Sequence, residues 1–243
     1  MREQMATRVF AVLIVAFVTS AATRADLPVK ITASKSRNWA AIKLLDKAEE
    51  DLKNGDYASA KQNVETALRS DPTLWPALYT RARVWMHEGK YELAVRDVSD
   101  ALRQYPPFIE AALLRASANA YLGRYPEALK EINHCISIHP RSDALGRAWR
   151  TRAWLEATCP DPAFRNGQQA ISDATKACKT LLWQDEQSIA TLAAAYAESG
   201  DFDSAVRYAE QALATKGTSP AAAKAIQQEL ALYKQHRPVR LRR

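Results

Sequence analysis

Residues 44–72 read LLDKAEEDLKNGDYASAKQNVETALRSDP, and their pattern recurs further along the chain. Four residue types return at intervals of 34 positions over three copies. They are a glycine (Gly55, Gly89, Gly123), a tyrosine (Tyr57, Tyr91, Tyr125), an alanine (Ala60, Ala94, Ala128) and a proline (Pro72, Pro106, Pro140). Glycine permits the positive φ of a tight turn, and proline cannot continue a helix. The pattern predicts a unit of two helices that turns at the glycine and stops at the proline.

The composition agrees with a helical chain. Among 243 residues, 47% are hydrophobic and only 7 are glycine, and no run alternates Val, Ile or Thr with polar residues as a half-buried strand would. The formal net charge is +7. This excess favours acidic partners in a general way, but it is modest for a chain of this length and does not require nucleic acid.

Alanines recur at two positions, one in each helix of the unit, that must be small if paired helices are to pack closely. The first-helix set is Ala48, Ala82, Ala116, Ala153 and Ala193, and the second-helix set is Ala60, Ala94, Ala128, Ala170 and Ala205. No single unit can bury such a face alone, whereas stacked units bury it continuously.

The period of 34, the Gly-x-Tyr turn and the closing proline together resemble the tetratricopeptide repeat (TPR), a helix-turn-helix unit. The resemblance implies an all-α, right-handed superhelix of five repeats in residues 41–219. We assign the repeats to 41–74, 75–108, 109–142, 146–185 and 186–219, followed by a capping helix at 220–236 and a basic tail, expected to be disordered, at 237–243.

The fourth repeat departs from the pattern. The pair Arg81-Ala82 recurs as Arg115-Ala116 and Arg152-Ala153, which places the start of this repeat at Gly146, three residues late. Residues 158–167, TCPDPAFRNG, replace the short glycine turn and add about five residues by this alignment. Two prolines within three residues exclude a continuous helix there.

The first 22 residues have the layout of a secretory signal peptide: a basic start, an apolar run at 9–18 and small residues at cleavage spacing. Cleavage after Ala22 or Ala25 and retention as an anchor stay open, although the run is shorter than the roughly 20 residues of a membrane span. Residues 23–40 form a mature leader, in which Asn38 caps the first helix. We expect an exported protein, periplasmic or secreted, with no membrane span after cleavage. The stretch from ATCPDPAFRNGQQAI to TLAAAYAESGDFDSAV also looks like a segment found in exported bacterial TPR proteins.

TPR modules generally bind peptides or proteins in a concave groove formed by the first helix of each repeat. Carrying the groove positions over, repeat by repeat, predicts a partner-binding set of Tyr79, Arg83, Met86, His87, Leu113, Tyr121, Arg147, Arg150 and Trp154, with Lys53 and Glu198 at groove positions of the outer repeats. Arginines beside aromatic residues suit an acidic, aromatic-containing peptide. The alternative is a solvated face on which long side chains cover apolar surface.

One specialised TPR function is excluded. TPR domains that clamp a carboxylate use Lys, Asn, Asn, Lys and Arg at positions held here by Leu45, Glu49, Thr80, Glu110 and Leu114. None matches, so a chaperone peptide bound through a carboxylate clamp is not expected.

The three cysteines suggest at most one structural bond. Cys159 and Cys178 could form a disulfide across the irregular loop, but a helix rises about 1.5 Å per residue, so the loop would have to fold back. Cys135 takes a small helix position and is expected to be buried. His134 and His139, near Cys135, are five residues apart rather than the four that face one another, and no metal site is expected.

The sequence carries no phosphate loop, nucleophile elbow or zinc-protease motif, so we expect no cofactor and no catalytic residue. The predicted function is a protein-interaction scaffold or adaptor outside the cytoplasm. Two alternatives stay open: an accessory subunit or enzyme with an unrecognised site on the solenoid, and a basic module that binds polyanions.

Overall fold

The computed structural model describes residues 39–138 and 142–241, which form helices joined by turns, with no strand among them. Eleven α-helices are present in these ranges: α1 (Trp39–Lys53), α2 (Tyr57–Ser70), α3 (Trp75–His87), α4 (Tyr91–Gln104), α5 (Ile109–Tyr121), α6 (Tyr125–Ser137), α7 (Ser142–Thr158), α8 (Gly167–Thr180), α9 (Glu186–Glu198), α10 (Phe202–Leu213) and α11 (Pro220–Tyr233). The expected signal peptide, the leader up to Asn38, His139, Pro140 and the last two arginines lie outside the described residues.

The first ten helices form five consecutive antiparallel pairs, as the repeat pattern predicts. In four of the pairs the turn is made by a glycine with φ between 71° and 83°, at Gly55, Gly89, Gly123 and Gly200. In the first and last pairs an aspartate after the glycine then caps the second helix. Asp56 accepts a hydrogen bond from the Ser59 amide at 3.0 Å, and Asp201 accepts one from Ser204 at 2.9 Å.

The small positions lie where the helices touch. All ten alanines of the two predicted sets have no exposed surface. First helices also contact one another from pair to pair: α1 contacts α3, α3 contacts α5, α5 contacts α7 and α7 contacts α9. The all-α solenoid predicted from the repeat is therefore the fold of the chain.

The fourth pair is irregular at the expected place. Helix α7 ends at Thr158, a short 3₁₀ turn spans Pro162–Phe164, and α8 begins at Gly167. Helix α7 begins at Ser142, before the repeat start assigned to Gly146. Gly146 thus lies inside a helix, where a Cβ would come within 3.0 Å of the Leu181 side chain. We attribute the glycine to this close approach of α7 to residue 181.

The segment after α10 differs from expectation in one respect. Helix α11 packs against α10, and its residues Ala222, Ile226 and Tyr233 are buried, in keeping with a capping role. The following residues were expected to be disordered because they are basic and lack periodicity. This prediction is wrong for 237–241, since Val239 and Leu241 are both buried against the helices.

Candidate functional site

The predicted partner-binding residues lie on the first helices α3, α5 and α7. We call the surface formed by α1, α3, α5, α7 and α9 the first-helix face. Seven of the nine side chains are buried, namely Tyr79, Arg83, Met86, Leu113, Tyr121, Arg150 and Trp154. His87 and Arg147 are half-buried. These residues therefore pack the first helices together rather than standing free.

The three arginines of this set are paired with carboxylates of the same chain. Arg83 Nη1 lies 2.7 Å from a carboxylate oxygen of Glu49, whose other oxygen accepts a hydrogen bond from Thr80. Arg147 Nη2 lies 3.4 Å from Glu110 and 2.9 Å from Asp143. The chain itself thus supplies the acidic groups that the sequence assigned to a partner.

Arg150 forms the most buried of these contacts. Its Nη1 donates to Asp185 Oδ2 at 2.9 Å, and only 2% of the Arg150 side chain is exposed. Burial opposes ionisation of Asp185, but Arg150 and Ser188 outweigh it and hold the pKa of the carboxyl below its ordinary value. Asp185 also caps α9 by accepting from the Ser188 amide. One carboxylate thereby joins α7 to the start of α9.

A second set of ion pairs joins the two helices within a repeat, and sequence reasoning missed it. The pairs are Arg81–Asp97 at 2.7 Å, Arg115–Glu131 at 2.6 Å and Arg152–Asp173 at 2.6 Å. The partners are 16, 16 and 21 residues apart, and the third interval is longer by the five residues that the alignment adds to the loop. The Arg-Ala dipeptide recurs in the sequence, and an acidic residue 16 positions after its arginine, or 21 where the loop is longer, was the signal that could have revealed the pairs.

The irregular loop is held by hydrogen bonds rather than by a disulfide. All three cysteines are free and buried. Arg165 donates to the carbonyls of Cys159 and Pro160 at 2.9 and 3.0 Å, and its Nε donates to Glu198 at 2.8 Å. Asn166 caps α8 by accepting from Gln169. The possible Cys159–Cys178 bond is therefore absent from this structure, and the loop is ordered without it.

Residues 236–241 return from α11 to the first-helix face, and we call them the tail segment. His236 stacks on Phe202 with ring centroids 5.1 Å apart. The Leu241 amide donates to the Thr158 carbonyl at 2.8 Å. Arg240 Nη2 lies 2.6 Å from Glu198 Oε2. The tail segment thus contacts the end of α7 and the end of α9.

The Leu241 side chain lines a small cavity of about 20 Å³ on this face. Trp154 of α7, one of the predicted partner-binding residues, lines it as well, together with Ser117 of α5, Thr151 of α7 and Ile132 of the second helix α6. At this end of the solenoid, the tail segment therefore borders the same cavity as Trp154, one of the predicted partner-binding residues.

Helix α11 places a carboxyl group in the interior. Glu229 has no exposed surface, and burial raises its pKa to about 8, with the neighbouring Tyr233 hydroxyl lowering it only in part. Neither carboxyl oxygen makes a hydrogen bond of ordinary geometry within the described ranges. Burial also raises the pKa of Tyr121 of α5, and Glu229 contributes to that rise. The sequence analysis predicted a capping helix here but no buried carboxyl group on it.

Of the three residues considered for a metal site in the sequence, the structure describes Cys135 and His134. Cys135 is buried, whereas His134 is exposed, and His139 lies outside the described ranges. Among the residues described, no three His, Cys, Asp or Glu side chains converge to hold an ion. Over the same part of the chain, each helix is too short or too polar to span a bilayer.

Comparison with known proteins gives a family match and a fold match. Residues 45–107 and 79–133 match the model of the tetratricopeptide repeat family. No curated protein matches the sequence. Among solved structures, a thermophilic TPR protein of Thermus thermophilus, TTC0263, is 18% identical with a TM-score of 0.67, covering 81% of this chain and all of that one.

Two further structures have the same architecture. The Cut9–Hcn1 hetero-tetramer of APC/C is 17% identical with a TM-score of 0.67 over 81% of this chain, which spans 36% of the length of its counterpart. PilF of Pseudomonas aeruginosa is 17% identical with a TM-score of 0.58, covering 82% of this chain and 95% of the other. The chain thus carries TPR repeats matched over residues 45–133 and has the fold of a TPR solenoid.

Proposed function

We propose that this protein is a scaffold or adaptor that binds a segment of a partner protein along the first-helix face, outside the cytoplasm. One observation carries the proposal: the face already holds a non-helical stretch of polypeptide, with Leu241 donating to the Thr158 carbonyl and Arg240 paired with Glu198. Main-chain hydrogen bonds combined with pockets for side chains are a recurrent way to bind an extended peptide. The TPR match supports the proposal, since the TPR fold commonly mediates protein–protein interaction.

The exported location rests on the layout of the first 22 residues, and the role is that of a binding module without catalysis. An acidic partner is supported by the formal charge of +7. The groove arginines support it less, since Arg83 and Arg150 are buried and already paired with Glu49 and Asp185. An acidic side chain would bind them only by displacing one of these carboxylates.

Reversing the charge of Arg147 and Arg150 would test folding instead of binding. A glutamate at position 150 would bury a second carboxylate beside Asp185, and an unpaired buried charge is strongly destabilising. A better test of binding places a substitution at an exposed position of the same face. Lys53 is exposed at the end of α1, one helical turn after Glu49 and on the same face.

We would therefore place a photo-crosslinking amino acid at position 53 and, as the control, at position 130. Lys130 is also an exposed lysine, but it lies on the second helix α6. After irradiation in the native envelope or secreted fraction, a single partner segment should be crosslinked from position 53 and not from position 130. Equal labelling from both positions, or none from position 53, would refute binding along the first-helix face.

A further inference from the structure

Three consecutive side chains of the tail segment alternate between buried and partly exposed positions. Val239 and Leu241 are buried, and Arg240 between them is half-exposed. Alternation of inward and outward side chains is the behaviour of an extended chain. Since the helix has ended at Tyr233, this stretch lies on the solenoid as a bound peptide would.

The surface beneath Arg240 suits a cation in two ways. Arg240 Nη1 approaches the Ala157 carbonyl at 3.4 Å. This carbonyl lies in the last turn of α7, where backbone carbonyls lack helical partners and the helix dipole is negative. Arg240 Nη2 lies 2.6 Å from Glu198 Oε2, and Glu198 Oε1 accepts from Arg165. The two oxygens of Glu198 thus serve two different arginines, one from the loop and one from the tail segment.

The neighbouring contacts suit apolar side chains and a main chain. Leu241 lines a small cavity together with Ser117 and Trp154, and its amide donates to the Thr158 carbonyl at the end of α7. Val239 is 3% exposed. The site therefore accommodates an apolar residue, an arginine and a second apolar residue from one extended stretch of chain.

We propose that the end of α7 together with Glu198 is a recognition site for an extended apolar–Arg–apolar segment of a partner protein, and that residues 239–241 occupy this site in cis and compete with the partner. This inference rests on the proposed binding function and names the partner chemistry for one end of the first-helix face. A tethered segment has an effective concentration in the millimolar range, so it holds the site against a weak free peptide.

The test uses a fluorescein-labelled peptide with the sequence of residues 236–241, HRPVRL, blocked at both ends, and a second peptide with glutamate in place of the second arginine. The proteins are the full chain and a released variant that carries Val239→Asp and Leu241→Asp. Both substitutions lie outside the helix pairs, and circular dichroism verifies that the solenoid stays folded. Fluorescence anisotropy should give at least about ten-fold tighter binding of HRPVRL to the released variant.

A third protein adds Glu198→Gln to the released variant, which keeps the shape of the side chain and removes its charge. Loss of a charge-assisted contact should weaken binding of HRPVRL by about ten-fold, and the glutamate peptide should not bind. Equal affinity of the full chain and the released variant, or equal binding of the two peptides, would overturn the proposal. Crosslinking from position 53 on α1 can succeed or fail independently, so failure of this site is distinguishable from failure of the proposed function.

A measurement without peptide tests whether the tail segment occupies the site, separately from whether the site binds a partner segment. Hydrogen exchange of the Leu241 amide in the full chain should be slowed, since this amide donates to the Thr158 carbonyl, and exchange in the released variant should be fast. Unprotected exchange in the full chain would overturn occupation in cis. Protected exchange without any peptide binding to the released variant would overturn recognition of a partner segment.

Discussion

The buried carboxyl of Glu229 makes the stability of this protein depend on pH in an unusual direction. Burial raises the pKa of Glu229 from the ordinary 4.5 to about 8. Below pH 4.5 the group is protonated in both the folded and the unfolded chain. Between pH 4.5 and 8 the unfolded chain ionises while the folded chain holds its proton. The free energy of unfolding therefore falls as pH rises through this window and levels off above it.

The size of the effect follows from the shift in pKa. A change from 4.5 to about 8 corresponds to about 5 kcal/mol at about 1.4 kcal/mol per pKa unit. Relaxation around the ionised group reduces this value, so we expect about 2 to 5 kcal/mol at pH 8.5. The substitution Glu229→Gln removes the titration and preserves the shape of the side chain. It should leave stability near the wild-type value at pH 5 and raise it by that amount at pH 8.5.

Urea denaturation followed by far-ultraviolet circular dichroism at both pH values provides the measurement. The matched control is Glu210→Gln, because Glu210 is an exposed carboxylate on α10 paired with Lys234 at 3.3 Å. Its effect should stay within about 0.5 kcal/mol at both pH values. If Glu229→Gln changes stability equally at pH 5 and pH 8.5, the carboxyl is not held neutral inside the fold and the reasoning fails.

Two other predictions concern the helix pairs and the thiols. Replacing Asp97 by Ala leaves Arg81 without its buried partner and should cost about 3 kcal/mol in denaturation experiments. Replacing Asp100 by Ala breaks its exposed ion pair with Arg103 and should cost less than about 1 kcal/mol. Equal costs of the two substitutions would contradict the structure. Burial raises the pKa of the Cys178 thiol to about 12, so a thiol reagent at pH 8 should label the native protein slowly. It should label three thiols after denaturation without reductant, whereas a Cys159–Cys178 disulfide would leave one.

The solenoid could be predicted because each of its signals acts locally. The turn at Gly55 depends on the φ of one residue, and the cap from Asp56 depends on an amide three positions away. The alanines repeat because each helix pair needs a small residue at the point of close approach, and all ten are fully buried. The same reasoning located the irregular loop at 158–167, since two prolines stop a helix whatever surrounds them.

The candidate site could be predicted only in outline. Repeat positions placed the groove residues on the first helices, but they did not show that Arg83 and Arg150 are buried in ion pairs. The partners Glu49 and Asp185 are 34 and 35 positions away in the chain, and they meet the arginines only after neighbouring repeats stack. The interior position of Glu229 was missed for the same reason, because an acidic residue on a terminal helix ordinarily faces solvent.

By itself, the sequence determined the repeat unit, the number of helix pairs and the residues at which they turn, since these depend on backbone conformation and helix separation within one unit. Only the tertiary structure decided what the first-helix face contains. Val239 and Leu241 belong to a short basic stretch without periodicity, and their apolar side chains are buried only because the packed helices offer a surface for them. Burial of that kind is a property of the assembled surface, so no local pattern in residues 237–241 could predict it.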